Sequence, residues 1–264
     1  SAASDVYKRQ EKDLAYVLKK ISRRDPNMIL TKSFITFKDK MKEYLERRIR
    51  ENKFLLINDL AREWSIKPSE VIEVLKLVME IYPGLEIYEK TLVSTLKDLS
   101  SLITRIVEES KITTTKHIAT KIGIESKALR KIISRISKYT PAVILGDSEI
   151  LAHREKIIDW LNELSSNRPK VYIEEFAGRL GISTKIAREF LKQICTIYSD
   201  VVLEGNELIF LNNVSDMIIR NITSGKLDHE LQEVSDKHPE VIEPKIYSNI
   251  GKILKEFESR ISGR

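Results

Sequence analysis

Reactive charge is densest between residues 125 and 138, where Lys127, Arg130, Lys131, Arg135 and Lys138 outnumber the single carboxylate of Glu125. On a helix these five cations gather along one side, the disposition that neutralises phosphate oxygens. A solvated helix face has the same composition, so the segment is a candidate nucleic-acid surface and not a signature. Other chemistry is thin. There is neither a GxxxxGK[ST] phosphate loop nor a GxGxxG turn. His117, His153, His229 and His238 are scattered and have one cysteine for company, so no ligand set has metal-binding spacing. That cysteine, Cys195, lies beside an apolar stripe; Arg188 and Lys192 share its helix, but neither is placed to lower its pKa, so it reads as a structural thiol. No catalytic, cofactor-binding or metal-binding residue is expected.

The composition sets the frame for these residues. The chain has 264 residues, 42% hydrophobic and 32% charged, with 45 Lys and Arg against 39 Asp and Glu. That suits a helix-rich protein with modest cores. No apolar run is long enough to span a membrane, and no secretory signal is evident. A lone cysteine forms no internal disulfide, which fits a reducing compartment, the cytoplasm or the nucleus. The net charge of +6 suits a nucleic acid or an acidic protein surface and does not choose between them.

The elements that position the cations repeat. At a spacing of 58 residues, Leu60, Ile118 and Phe176 fall in register, as do Trp64, Ile122 and Leu180, and then Ile66, Ile124 and Ile182. Ser65, Gly123 and Gly181 lie between the last two members of each set, where a left-handed residue closes a helix. A second amphipathic helix follows each turn: Val71, Val74, Leu75 and Val78; Leu129, Ile132, Ile133 and Ile136; Ala187, Phe190, Leu191 and Ile194. Each unit then closes in a hairpin, with strands at Leu85–Tyr88 and Thr91–Ser94, Val143–Leu145 and Glu149–Ala152, and Val201–Leu203 and Glu207–Leu211. Helix, helix-turn-helix and hairpin make the winged-helix plan.

The expected fold is therefore mainly α with small β-hairpins, an α+β class built of tandem winged helices in an elongated array. The expected modules are a partial winged helix over 11–37, complete ones over 38–94, 95–152 and 153–211, and a helical extension over 212–264 that could open a further module. Ser215 or Asp216 is a candidate cap for a helix running through Arg220, and the polar stretch over 224–239 reads as an inserted loop. Asp5–Gln10 matches the translation of a transposon sequencing adapter, so residues 1–10 are set apart from the fold.

Charge separates the three second helices. The first carries Glu70, Glu73 and Glu80 against Lys76 and would repel phosphate. The third sets Lys185, Arg188 and Lys192 against Glu189. Only the middle helix is strongly basic, and the hairpins after the second and third helices are acidic, with Asp147 and Glu149 in one and Glu204 and Glu207 in the other. Wings that contact phosphate are usually basic. This balance puts a protein-binding scaffold first and a DNA- or RNA-binding regulator acting through the second module as the alternative.

Several stretches carry a family resemblance: Phe34-Ile35-Thr36-Phe37 running into Met41-Lys42-Glu43, His153-Arg154-Glu155-Lys156-Ile157, Asn167-Arg168-Pro169, and Pro244-Lys245-Ile246-Tyr247-Ser248. Over most of 11–264 the chain resembles the N-terminal winged-helix array of the scaffold-type ligase of the ubiquitin-fold-modifier system. The resemblance implies a ligase without a catalytic cysteine, which brings a charged conjugating enzyme to its target. It also implies an adaptor protein that completes the first winged helix, placing Leu14, Val17, Leu18 and Ile21 in that composite module. None of the stretches is a catalytic signature, and the polar insert near 224–239 departs from the family pattern.

Overall fold

The computed structural model describes residues 13–146, 149–224 and 228–262. It comprises two compact units. One contains the described residues up to Ile106 together with Ala119–Pro141; the other contains Val107–Ile118 and the described residues from Ala142 onward. The expected adapter-derived segment, and Asp147 and Ser148, lie outside the described residues.

In the first unit a helix over 13–22 (α1) leads to a hairpin of β1 (Met28–Leu30) and β2 (Ile35–Phe37). Next come α2 (Lys38–Asn52), β3 (Leu55–Leu56), α3 (Ile57–Glu63), α4 (Pro68–Met79), β4 (Leu85–Tyr88) and β5 (Leu92–Thr95). The apolar stripes account for the packing. Met41, Leu45 and Ile49 of α2, Ile57 and Leu60 of α3, and Val71, Val74, Leu75 and Val78 of α4 are buried against Leu85 and Val93 of the hairpin. Each such side chain is worth about 1.5–3 kcal/mol when fully buried, more than a helix cap at roughly 1 kcal/mol. Packing therefore fixes where these helices lie. The turn before α4 closes at Ser65, which takes φ 55° without glycine, and Pro68 opens α4 where its missing N–H is harmless.

The two-residue strand β3 lies beside the hairpin and makes a three-stranded antiparallel sheet in the order β3-β5-β4, with Leu55 opposite Val93. The same device recurs. After α5 (Leu96–Ser110), β6 (Ile112–Thr114) precedes α6 (Thr115–Ile122) and α7 (Ser126–Ile136), and it pairs with β8 (Ile150–His153), which in turn pairs with β7 (Val143–Gly146). After α8 (Ile157–Ser165), β9 (Lys170–Tyr172) precedes α9 (Ile173–Leu180) and α10 (Thr184–Ile197), and it pairs with β11 (Glu207–Phe210) beside β10 (Val201–Glu204). Among the described residues, β1 and β2 pair only with each other. The chain is thus an α+β protein of winged-helix modules, as its periodicity predicts.

In the second unit, Ile157, Leu161, Phe176, Ala187, Phe190, Leu191 and Ile194 bury themselves with Leu208 and Phe210, and Ile144, Ile150 and Ala152 of β7 and β8 join the same core. His153 closes β8, and the next helix begins at Ile157. Helices α11 (Leu211–Ser224), α12 (His229–Lys237) and α13 (Pro239–Ser262) follow. Two expectations are corrected here. The Ser215 hydroxyl does not cap a helix; it donates to the Leu211 carbonyl at 2.8 Å from inside α11. Much of the expected loop over 224–239 is α12, because the Asp228 carboxylate caps it by accepting from Leu231 N–H at 3.3 Å, while Leu231 packs with Ile209, Val214 and Ile242. On α13, Tyr247, Ile250 and Leu254 are exposed, and the side chains of Ile253, Phe257 and Ile261 lie outside the description.

Gly146 tests the second core. A Cβ there would stand 3.1 Å from both Cβ and Cγ of the buried Phe190, whose ring stacks on Phe176 at 6.1 Å. Gly146→Ala is expected to destabilise the protein by about 1–3 kcal/mol through overpacking, read as a lower denaturant midpoint at unchanged m-value.

Candidate functional site

Gly123, at φ 75°, turns the chain from α6 into α7. Glu125 at the N-cap is extended and contributes no side-chain cap. Because Leu129, Ile132, Ile133 and Ile136 are all buried, the opposite face of α7 must carry the polar residues. Lys127, Arg130, Lys131 and Arg135 are exposed on it, and exposed Lys138 extends the run into a short 3-10 turn over Ser137–Tyr139. Tyr139 beside it is also exposed. The five cations expected from the sequence thus share one accessible face.

Two of them meet carboxylates that the sequence did not suggest. Lys131 Nζ lies 2.8 Å from Glu89 Oε2, and Arg135 Nη2 lies 2.6 Å from Glu86 Oε2. Both acids belong to the β4–β5 hairpin. Its turn is made by Glu89 and Lys90 in left-handed conformation, at φ 49° and 53°, a geometry usually given to Asn-Gly. The Arg135 guanidinium also sits 5.1 Å from the centre of the Tyr88 ring. Burial, reinforced by the Glu86 charge and opposed by Arg135, pushes the Tyr88 hydroxyl up to about 12, so it stays protonated at neutral pH. Lys131 and Arg135 nonetheless keep 60% and 57% of their side-chain surface exposed. Lys127 and Lys131 line an open cleft with Asn58, Glu89, Thr91 and Glu125. No signal of charge spacing or periodicity would have found Glu86 and Glu89, because the contact depends on tertiary packing.

The other two second helices use their charges locally. On α10, Arg188 donates to the Gly205 carbonyl at 2.6 Å and to the Asn206 side chain, fastening the helix to the tip of its own hairpin. Lys192 pairs with Glu189 at 2.8 Å. The hairpin acids Glu204 and Glu207 meet Lys237 and Lys170 at 3.4 and 3.3 Å. On α4, the Glu70 carboxylate accepts from the Ser33 hydroxyl at 2.7 and 2.9 Å, which holds its pKa below the usual value.

A second surface is apolar. Leu14, Val17 and Ile21 of α1 are 59%, 49% and 46% exposed, and Leu18, on the same stripe, is half-buried. Ile35 and Phe37 of β2 are also exposed. The structure therefore leaves the four residues of the expected composite module accessible.

Among the described residues, no group of three or more His, Cys, Asp or Glu side chains could hold a metal ion, and no helix is long and apolar enough to cross a membrane.

These elements define the class: winged-helix modules in tandem, each with a helix-turn-helix and a paired hairpin. No family model and no curated protein matches the chain. Two solved structures are similar to parts of it. One is the bacterial selenocysteine-specific elongation factor EF-Sec, at 16% identity and a TM-score of 0.31 over 70% of this chain; the chain spans only 32% of that protein. The other is the mRNA-binding domain of elongation factor SelB from E. coli in complex with SECIS RNA, at 17% identity and a TM-score of 0.28, covering 42% of this chain and 95% of that domain. The fold assignment rests on the element order and strand pairing of the chain itself.

Cys195 offers a check on the local packing. It is half-buried, and burial pushes its thiol up to about 11. The thiolate is the reactive form, so alkylation by iodoacetamide at pH 8 is expected to be slow in the folded protein. It should accelerate by at least about tenfold in denaturant, where the pKa returns to about 8.5. Equal rates in the two states would contradict the packing of α10.

Proposed function

We propose that the chain is a nucleic-acid-binding winged-helix protein that contacts backbone phosphates through α7. One observation carries this reading: Lys127, Arg130, Lys131, Arg135 and Lys138 form one exposed face along the second helix of a helix-turn-helix and the short turn that follows it. That helix is the element which winged-helix and related folds lay against a nucleic acid. Phosphate contacts supply affinity without sequence information, so binding should be strong at low salt and weakly sequence-selective. The acidic hairpins argue against a wing that also grips the backbone.

Fluorescence anisotropy with a random-sequence duplex DNA and with a structured RNA tests the reading. For the duplex, replacing Lys127, Arg130 and Lys138 together by alanine is expected to flatten the slope of log K against log salt by about 0.9 for each lost phosphate contact. Equal binding by the triple variant and the unaltered chain at low salt would refute the role of α7.

The protein-docking reading is favoured by a different observation, the exposed stripe of Leu14, Val17 and Ile21 on α1 beside Ile35 and Phe37. Exposed apolar surface of this kind commonly marks a partner site. In that reading an adaptor packs against α1 and the β1–β2 hairpin, and the chain acts as a scaffold that presents a ubiquitin-like conjugating enzyme to its target, as the family resemblance implies. Leu14→Asp with Val17→Asp is expected to abolish capture of such an adaptor while leaving duplex binding unchanged. Unchanged adaptor capture by that double variant would exclude the α1 face as the docking site.

A further inference from the structure

The hairpin that meets α7 carries carboxylates where a phosphate-binding helix would meet its ligand. Glu89 Oε2 lies 2.8 Å from Lys131 and Glu86 Oε2 lies 2.6 Å from Arg135. The two cations are four residues apart, so they sit about 6 Å from each other along the helix axis. Two carboxylates from one tight hairpin therefore face two cations from adjacent turns of one helix, as two neighbouring phosphates would.

We infer that the β4–β5 hairpin is an internal competitor for the phosphate-binding face of α7, and that Glu86 and Glu89 determine which polyanions that face accepts. The inference rests on the phosphate-binding reading and adds selection to it. Three features support competition over a purely structural contact. First, both cations stay more than half exposed, so an incoming anion can reach them without opening the core. Second, the Lys131–Glu89 pair lies at the surface, where ion pairs are weak and readily exchanged for another anion, while the Glu86 oxygen that meets Arg135 is buried and makes the stronger competitor. Third, the hairpin cannot simply swing away, because Tyr88 is buried and its ring lies under the Arg135 guanidinium. A displaced carboxylate thus stays close to whatever displaces it.

That last point sets the selectivity. A ligand with one phosphate gains one contact and meets the nearby carboxylates of Glu86, Glu89 and Glu125. A polyanion also reaches Lys127 and Lys138 at the same time, and its several contacts outweigh the repulsion. The hairpin therefore discriminates against isolated phosphate groups and favours a continuous phosphate backbone.

The test uses the full chain with Glu86→Gln, Glu89→Gln and the double replacement, titrated against random-sequence duplex DNA over a range of salt. Glutamine keeps the shape and removes the charge. The double variant is expected to bind about 3- to 10-fold tighter at low salt, the order of magnitude of two ion pairs near the surface. Its salt slope should steepen by about two, at roughly 0.9 for each cation newly free to neutralise a phosphate and release a counterion from the DNA. Lys131→Ala with Arg135→Ala in the same background should cancel the gain. Binding by the double variant alone would support the inference equally.

If the unaltered chain binds duplex and loses it on removal of Lys127, Arg130 and Lys138, yet the glutamine variants bind no tighter, the hairpin is not a competitor and the inference fails while the phosphate reading stands. If neither the unaltered chain nor the double variant binds duplex or RNA, the phosphate reading fails and the inference with it. Glu89→Gln lies in an exposed turn, so its smaller expected gain guards against a folding defect in the variants at Glu86.

Discussion

A strand of two or three residues ties each complete module together. β3, β6 and β9 lie just before the helix-turn-helix, and each pairs with the second strand of the hairpin that follows it. A hairpin alone is marginal in water. The third strand gives it a second set of ladder hydrogen bonds and binds the entrance of the helix-turn-helix to the sheet. The second helix must then turn its apolar stripe toward the sheet, which places its polar face outward. The position of every charge on α7 and α10 follows from that pairing.

Electrostatics then divides modules that share one plan. α10 ties its arginine to the hairpin tip, and α4 holds a carboxylate against the Ser33 hydroxyl. α7 and the short turn after it keep five cations outward, and two of these meet acids from a hairpin earlier in the chain. Exposed pairs add little to stability. In the proposed reading their effect falls instead on which anions the surface admits.

The sequence made the larger features legible because they are periodic. Apolar residues three and four apart located the second helix of each module, and Gly123 and Gly181 marked two turns. The short strands escaped notice because two or three residues cannot show an alternation. α12 was read as a loop because its polar residues outnumber Leu231 and Val234, and only packing against Ile209 and Val214 reveals its buried side. The α7 cations were visible as spacing on one helix. Glu86 and Glu89 were not, because they lie more than 40 residues away in the chain, and the turn that presents them uses two non-glycine residues in left-handed conformation.

The two tryptophans fall one to each compact unit. Trp64 packs on the first core, with Phe34 stacked on its indole at 5.4 Å. Trp160 packs on the second, edge-on to Phe176 at 5.6 Å. Each unit therefore contains its own fluorophore in a distinct aromatic setting. Replacing either indole by phenylalanine would leave an emission signal that belongs to a single unit, and the melting of the two halves could be followed separately within one intact chain.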